Sequence, residues 1–359
     1  MLLARLGSLH ALEQGHACAW WRRWLDGDLP SADTLGRVAS LMDLDDIRSL
    51  GRQIYSRRKR NKNLPPIWGG FRFLIFDGHE SNGSYRRHCK QCLQRTVHTK
   101  KGDRVEYYHK YVLALLRHGK GHLLLDAEDV LPGEGEMAAA IRLFQRVMIG
   151  YPRAFDVVTG DALYLHPGFC NLVVTHRKHF IIVLKNENRD LLVDARSLCE
   201  VTQPTSFAEK KIHYTCWDIE GFTSWPQFGP SVRVVRSLET STDQAEQEAS
   251  EWFWATSLPQ TTATTQTIVH GGHGRWDIEN YGFNELCNQW HADHVYKHDP
   301  NALAVFRLLL FVAYNLFHAF VTLNLKPEIR AGRTQQYWVR LVASEFYSDF
   351  YCPSKRAPP

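Results

Sequence analysis

The sequence predicts a mixed α/β fold, a sheet holding both antiparallel and parallel strands with helices packed on it. Three observations carry this expectation. Strand-like runs at 71–76, 105–116 and 122–126 lie close together, with a His118-Gly119-Lys120-Gly121 turn between the second and third, as in an antiparallel meander. Helix and strand patterns then alternate, helix at 133–149, strand at 155–160, helix at 167–176 and strand at 180–184, the order that builds parallel pairs. Residues 186–266 break this pattern with short strand-like pieces at 212–217, 232–236 and 252–256, divided by Pro-rich and polar turns, before helical sequence returns.

Composition sets the bounds. The chain has 359 residues, 23% of them charged, enough for two or three domains or one large one with an insertion. A net charge of +5 allows a nucleic-acid partner without requiring one. Eight cysteines are too sparse for a disulfide framework. Met1-Leu2-Leu3 is apolar but breaks at Arg5, so no signal peptide is expected and a reducing, intracellular setting is.

The flanking segments are mostly helical in pattern. Residues 1–65 form a helical N-terminal segment, with Leu2, Leu3, Leu6, Leu9 and Leu12 at helical spacing, Ser31 as N-cap of a helix through Leu41, and a second short helix near Asp45. Arg52, Arg57, Arg58, Lys59, Arg60 and Lys62 then form a basic connector or a phosphate-contacting arm. Residues 66–189 hold the first part of the core, 190–266 a β-rich insertion, and 267–327 the rest of the core. The apolar run 301–322 carries Arg307, Asn315 and His318, which favours a buried core helix over a membrane span. Residues 328–359 read as a weak peripheral tail.

Chemistry concentrates at three acids. Phe71 to Phe76, apolar except for Arg72, delivers Asp77 where the strand should end, with Gly78-His79 next. The residue is either a rigidly presented metal ligand or the first member of an Asp-Gly turn. Phe155-Asp156-Val157-Val158-Thr159-Gly160-Asp161 repeats the theme. In the late helical stretch, Trp276, Glu279 and Phe283 are spaced to share a face, which would turn Glu279 toward the sheet; a surface ion pair with Arg275 is the plainer reading. Asp126, Glu128, Glu134 and Glu136 are alternative acids, with Asp126 expected to be at most a helper. Separately, Cys89-Lys90-Gln91-Cys92 supplies half of a tetrahedral zinc site. His79, His98 and His109 are candidates to complete it, but reduced thiols closing a hairpin-like excursion are the expected state, and structural zinc the lesser alternative.

The element order resembles the core of the ribonuclease H-like fold, a mixed sheet with flanking helices in which the first and fourth strands are neighbours. Over residues 70–327 the chain resembles the DDE transposases of bacterial insertion sequences, the cut-and-paste class with a β-rich insertion before the catalytic Glu. Three motifs carry the resemblance: Phe76-Asp77-Gly78-His79, Asp161-Ala162-Leu163-Tyr164 and Arg275-Trp276-Asp277-Ile278-Glu279. The chain departs from the third at Gly272, where the family has Tyr, and at Leu286, where it has Lys. The resemblance implies that Asp77, Asp161 and Glu279 hold two Mg2+ or Mn2+ ions and catalyse strand cleavage and strand transfer at element ends. It implies that Arg275 orients Glu279 or holds phosphate, with Arg57, Arg58, Arg86, Arg87, Lys185 and Lys297 as further DNA contacts. The implied partners are terminal inverted repeats and target duplex, with self-association on DNA, in the cytoplasm or on the nucleoid. The N-terminal segment is short for the family, so a dedicated end-recognition domain is not expected. A nuclease that cuts without joining and an inactive DNA-binding relative are the alternatives.

Overall fold

The computed structural model describes residues 2–3, 5–14, 25, 29–100, 102–185, 190–241 and 249–351. The N-terminal positions 15–20 and most of the polar 239–250 stretch lie outside them. A short helix α1 (Leu9–Gln14) precedes α2 (Ala32–Leu41), capped by the Ser31 hydroxyl, which accepts the Thr34 N–H at 3.2 Å as expected. The next helix is longer than the sequence suggests. α3 (Leu44–Arg60) absorbs most of the basic run, so that run is not an extended connector but the last turns of a helix, where cations complement the dipole.

The core sheet begins with β1 (Phe73–Ser84), β2 (Leu93–Thr99), β3 (Gly102–His118) and β4 (Gly121–Asp129). β3 pairs antiparallel with β1 on one side; on the other it pairs with β2 near its start and β4 near its end. Helix α4 (Glu136–Gly150) leads to β5 (Val157–Gly160), and α5 (Pro167–Thr175) to β6 (His179–Val183). β5 lies parallel to both β1 and β6. With β2 set aside, the three antiparallel strands β1, β3 and β4 and the parallel β5 and β6, with β1 beside β5, make the ribonuclease H-like arrangement expected.

The insertion opens with a helix that the strand-like pattern of this stretch concealed, α6 (Asp190–Val201). Four antiparallel strands come next: β7 (Thr205–Glu209), β8 (Ile212–Phe222), β9 (Val232–Ser241) and β10 (Ser250–Thr256). β10 pairs with β6, so the insertion continues the core sheet, which runs β2-β3-β1-β5-β6-β10-β9-β8-β7 with β4 beside β3.

Side chains on β1 alternate between two apolar cores. Leu74 and Phe76 pack with Phe144 of α4 and Phe169 of α5, while Ile75 packs on the opposite face with Ile278 and the long helix α9 (Pro300–Ala319). α9 is apolar and long enough, with the turn after it, to cross a membrane, but half of that stretch is buried against the sheet and α3. Three of its polar residues have partners: Arg307 on Asp129 at 2.7 Å, Asn315 on the backbone of Leu124, and His318 on Glu285 at 3.0 Å. That is how a core helix carries polar groups. Where a weak tail is expected, α11 (Gln335–Tyr351), after the short α10 (Pro327–Arg330), buries Trp338 and Val339 in the same core.

Candidate active site

Backbone pairing brings the first two acids together. Phe73, Leu74 and Ile75 pair in parallel with Val157, Val158 and Thr159. Two steps further at the same offset, Asp77 comes level with Asp161. Beyond this point the two strands behave differently. β5 stops at Gly160, and Asp161 caps a single 3-10 turn (Ala162–Tyr164), accepting the Leu163 N–H at 2.9 Å. β1 does not stop: Asp77 and Gly78 pair with Leu113 and Val112, and the strand runs on to Ser84. No Asp-Gly turn forms here, because β3 is long enough to hold β1 extended. Asp77 sits mid-strand, on the Ile75 face, beside an edge that β5 has vacated.

Burial and crowding make the site electrostatically costly. Burial pushes the Asp77 carboxyl up to about 7, with Asp161, Glu136 and Glu279 adding to the effect and the Gly78 N–H opposing it. The Asp161 carboxyl is also raised, first by burial and then by Glu136, against the Leu163 N–H and Arg275. Carboxylates that hold one another's protons on are a set that a divalent cation would relieve, and an all-oxygen donor set suits hard ions such as Mg2+ or Mn2+.

Glu279 arrives by an irregular route. A 3-10 turn (Gly274–Trp276) runs into a π-helical stretch (Ile278–Asn284), then α8 (Glu285–Trp290). Because this is not a regular α-helix, Trp276 and Phe283 do not share a face: Trp276 is exposed and Phe283 buried. Glu279 stands at the boundary, 39% exposed, and pairs with Arg275 Nη1 at 3.6 Å. The ion pair is real, but it is not a surface one. Arg275 is buried, its guanidinium lies over the Trp276 ring at 4.1 Å, and its charge also reaches Asp161.

Glu136, an alternative acid at a helix start in the sequence, is the one of that group the fold brings to the site. It reaches from α4 to the Phe76 face of β1, where a side chain at position 78 would overlap its carboxylate. Lys110 Nζ at 2.9 Å and the Tyr164 hydroxyl at 2.7 Å hold it. Gly78 is the sequence signal that could have found it, as a glycine where another group approaches the strand. The other alternative acids are engaged in ion pairs: Asp126 with Arg48 and Arg146, Glu128 with Arg142 and Arg146, and Glu134 with Arg142.

The basic candidates divide. Arg57, Arg86, Arg87 and Lys185 are exposed. Arg58 is not available to DNA: it is buried and its Nη2 donates toward His118 Nε2 at 3.4 Å, because helical periodicity turns it inward from the run. Lys297 is half-buried, its stem against Gly36 of α2. Cys89 and Cys92 lie in the β1–β2 loop beside His109 of β3, while His98 pairs with Asp103 and His79 sits with Cys287 and Asp293.

Both departures from the third motif have packing reasons. Gly272 lies at the end of α7 (Thr265–His273), and any side chain there would overlap the indole of fully buried Trp254 on β10. Leu286 is fully buried in the α9 core, where a lysine would lose its hydration.

A mixed sheet of this order, with Asp77 on β1 and Asp161 just past the end of the adjacent parallel β5, has the ribonuclease H-like arrangement of phosphoryl-transfer enzymes. Residues 68–316 match the family described as the transposase DDE domain. The chain belongs to that family, whose members are enzymes of phosphoryl transfer on DNA. No curated protein matches it in sequence. Among solved structures it is similar to the NurA nuclease from Sulfolobus solfataricus at 10% identity, over 85% of this chain and 97% of that one. The TM-score of 0.26 is too low to carry any argument from that likeness.

Proposed function

We propose that this chain cleaves DNA strands at the ends of an insertion sequence and joins them to target DNA, with Asp77, Asp161 and Glu279 as its catalytic acids. The observation that supports this most is the register of β1 on β5, which carries Asp77, on its rigid strand, level with Asp161 just past the end of β5. Two Mg2+ or Mn2+ ions held by these acids would activate the attacking oxygen and stabilise the leaving one. The protein's own residues have separate tasks. Asp77 and Asp161 present oxygen donors from the sheet. Arg275, paired with Glu279 and close enough for its charge to be felt by Asp161, would orient the Glu279 carboxylate. Glu136, held by Lys110 and Tyr164, braces β1 from its other face. Exposed Arg57, Arg86, Arg87 and Lys185 would attract duplex phosphates, a pull that is salt-sensitive and blind to sequence. In this reading the partners are terminal inverted repeats and target duplex, with self-association on DNA inside the cell.

The test supplies the DNA flanking the coding region, with magnesium or manganese, at low and moderate salt. Joined products confined to the element's inverted repeats are expected. Scattered nicks without joining would replace the proposal with a nuclease. Tight binding with no cleavage under either metal would leave an inactive DNA-binding protein.

A further inference from the structure

Away from the acids, four ligand atoms converge from three parts of the chain. Cys89 and Cys92 come from the loop between β1 and β2, His109 from β3, and His298 from the segment that leads into α9. The Cys92 N–H donates to the Cys89 carbonyl at 3.2 Å, closing a turn that puts both thiols on one side. The sulfurs are 3.7 Å apart. His109 Nε2 is 3.4 Å from Cys89 Sγ and 3.3 Å from Cys92 Sγ, and His298 Nε2 is 3.5 Å from Cys92 Sγ. All four atoms lie within 4.8 Å of one another.

These separations match a tetrahedral site. Zinc bound at ~2.3 Å to sulfur and ~2.0 Å to nitrogen sets its ligands about 3.8 Å apart for a sulfur pair and about 3.5 Å for sulfur and nitrogen. A disulfide is excluded at this separation, since its sulfurs would stand at ~2.05 Å. Two thiolates and two imidazoles are a set that favours zinc over the hard ions suited to the acid cluster.

We propose that Cys89, Cys92, His109 and His298 form a structural Zn2+ site that ties the β1–β2 loop and the core sheet to the start of α9. Binding displaces both thiol protons to solvent and leaves zinc closed to further ligands. Its position gives it a task. The loop it closes carries exposed Arg86, Arg87 and Lys90, and His109 lies opposite Ser81 on β1, the strand that bears Asp77. Zinc would thus hold a basic loop in fixed relation to the sheet. The proposal does not depend on the catalytic reading, since it is tested by metal content and not by cleavage.

The full chain, purified without chelator and dialysed after exposure to zinc, is expected to retain about one zinc per chain by elemental analysis. Cys92→Ser and His298→Ala should each lose most of it. Asp77→Asn and His98→Ala, which alter the acid cluster and a nearby surface histidine, should keep it. Cobalt in place of zinc should show thiolate charge-transfer and tetrahedral ligand-field bands. Chelation of the wild type should lower its melting temperature, reversibly on adding zinc, which keeps the test open should the variants fold poorly. Wild-type protein that holds no zinc after dialysis would overturn the proposal. So would zinc retained in full by both ligand variants, or zinc lost with Asp77→Asn.

Discussion

Asp77 combines a buried carboxyl pushed up to about 7 with three acidic neighbours, so it weakens the metal-free fold at neutral pH. Asp77→Asn should therefore melt no lower than wild type without metal, while DNA nicking falls to background. A variant that still nicks at the wild-type rate would remove Asp77 from the site. His118 gives a different signature. It is fully buried, and both ring nitrogens face N–H donors, Nε2 toward Arg58 and Nδ1 toward the Lys120 amide, so a second ring proton has no acceptor. Burial, with Arg58, His122 and Arg117 nearby, holds it down to about 3. The folded value lies below the unfolded one of about 6.5, so the unfolded chain takes up the proton first. The stability tied to His118 is complete above about pH 6.5 and is lost as pH falls toward 3. Urea midpoints between pH 7.5 and 5 should drop more steeply for wild type than for His118→Gln; parallel slopes would contradict this account. At this scale each of the three motifs names one acid in the sequence. It could not show Arg58 turned inward or Glu136 drawn in, because both depend on what packs against them.

Elements were legible wherever periodicity was regular. The meander, α4, β5, α5 and β6 appear in the expected order because buried strands and amphipathic helices write their burial into the sequence. Three features escaped for physical reasons. The end of β1 was misjudged because Asp77-Gly78 carries turn chemistry that pairing with β3 overrides. The stretch around Glu279 suggests a regular helical period, whereas 3-10 and π turns re-aim its side chains. α6 was lost inside a stretch judged by its strands. α7 offers a direct test of element packing. Gly272→Ala should destabilise the protein by about 1–3 kcal/mol through overlap with Trp254. Combined with Trp254→Phe, the loss should be less than the sum of the single changes in a double-mutant cycle. Strict additivity would mean that the helix shifts away from β10 instead.

At the scale of the whole molecule, ion pairs fasten α3 and α4 to the sheet. Buried Asp126 on β4 bridges Arg48 of α3 at 3.2 Å and Arg146 of α4 at 2.6 Å. Asp126→Asn leaves two arginines short of an anion and should cost about 3–5 kcal/mol of stability. Nicking measured below the melting transition should stay within a few-fold of wild type; loss equal to that of Asp77→Asn would make Asp126 part of the chemistry. The sequence indicated that residues 190–266 interrupt the core, but not that they extend it, since the β6–β10 pairing joins segments far apart in the chain. That pairing bears on any attempt to pare the protein down. Excising the insertion to leave a minimal catalytic body would strip β6 of its β10 neighbour and leave backbone donors and acceptors unmet along Ile181–Val183, whose side chains are buried and apolar. Such an edge templates pairing with other chains. The shortened protein is expected to sediment as aggregate and bind amyloid dyes where the full chain does not, so the segment that looks dispensable in sequence is what keeps the catalytic sheet soluble.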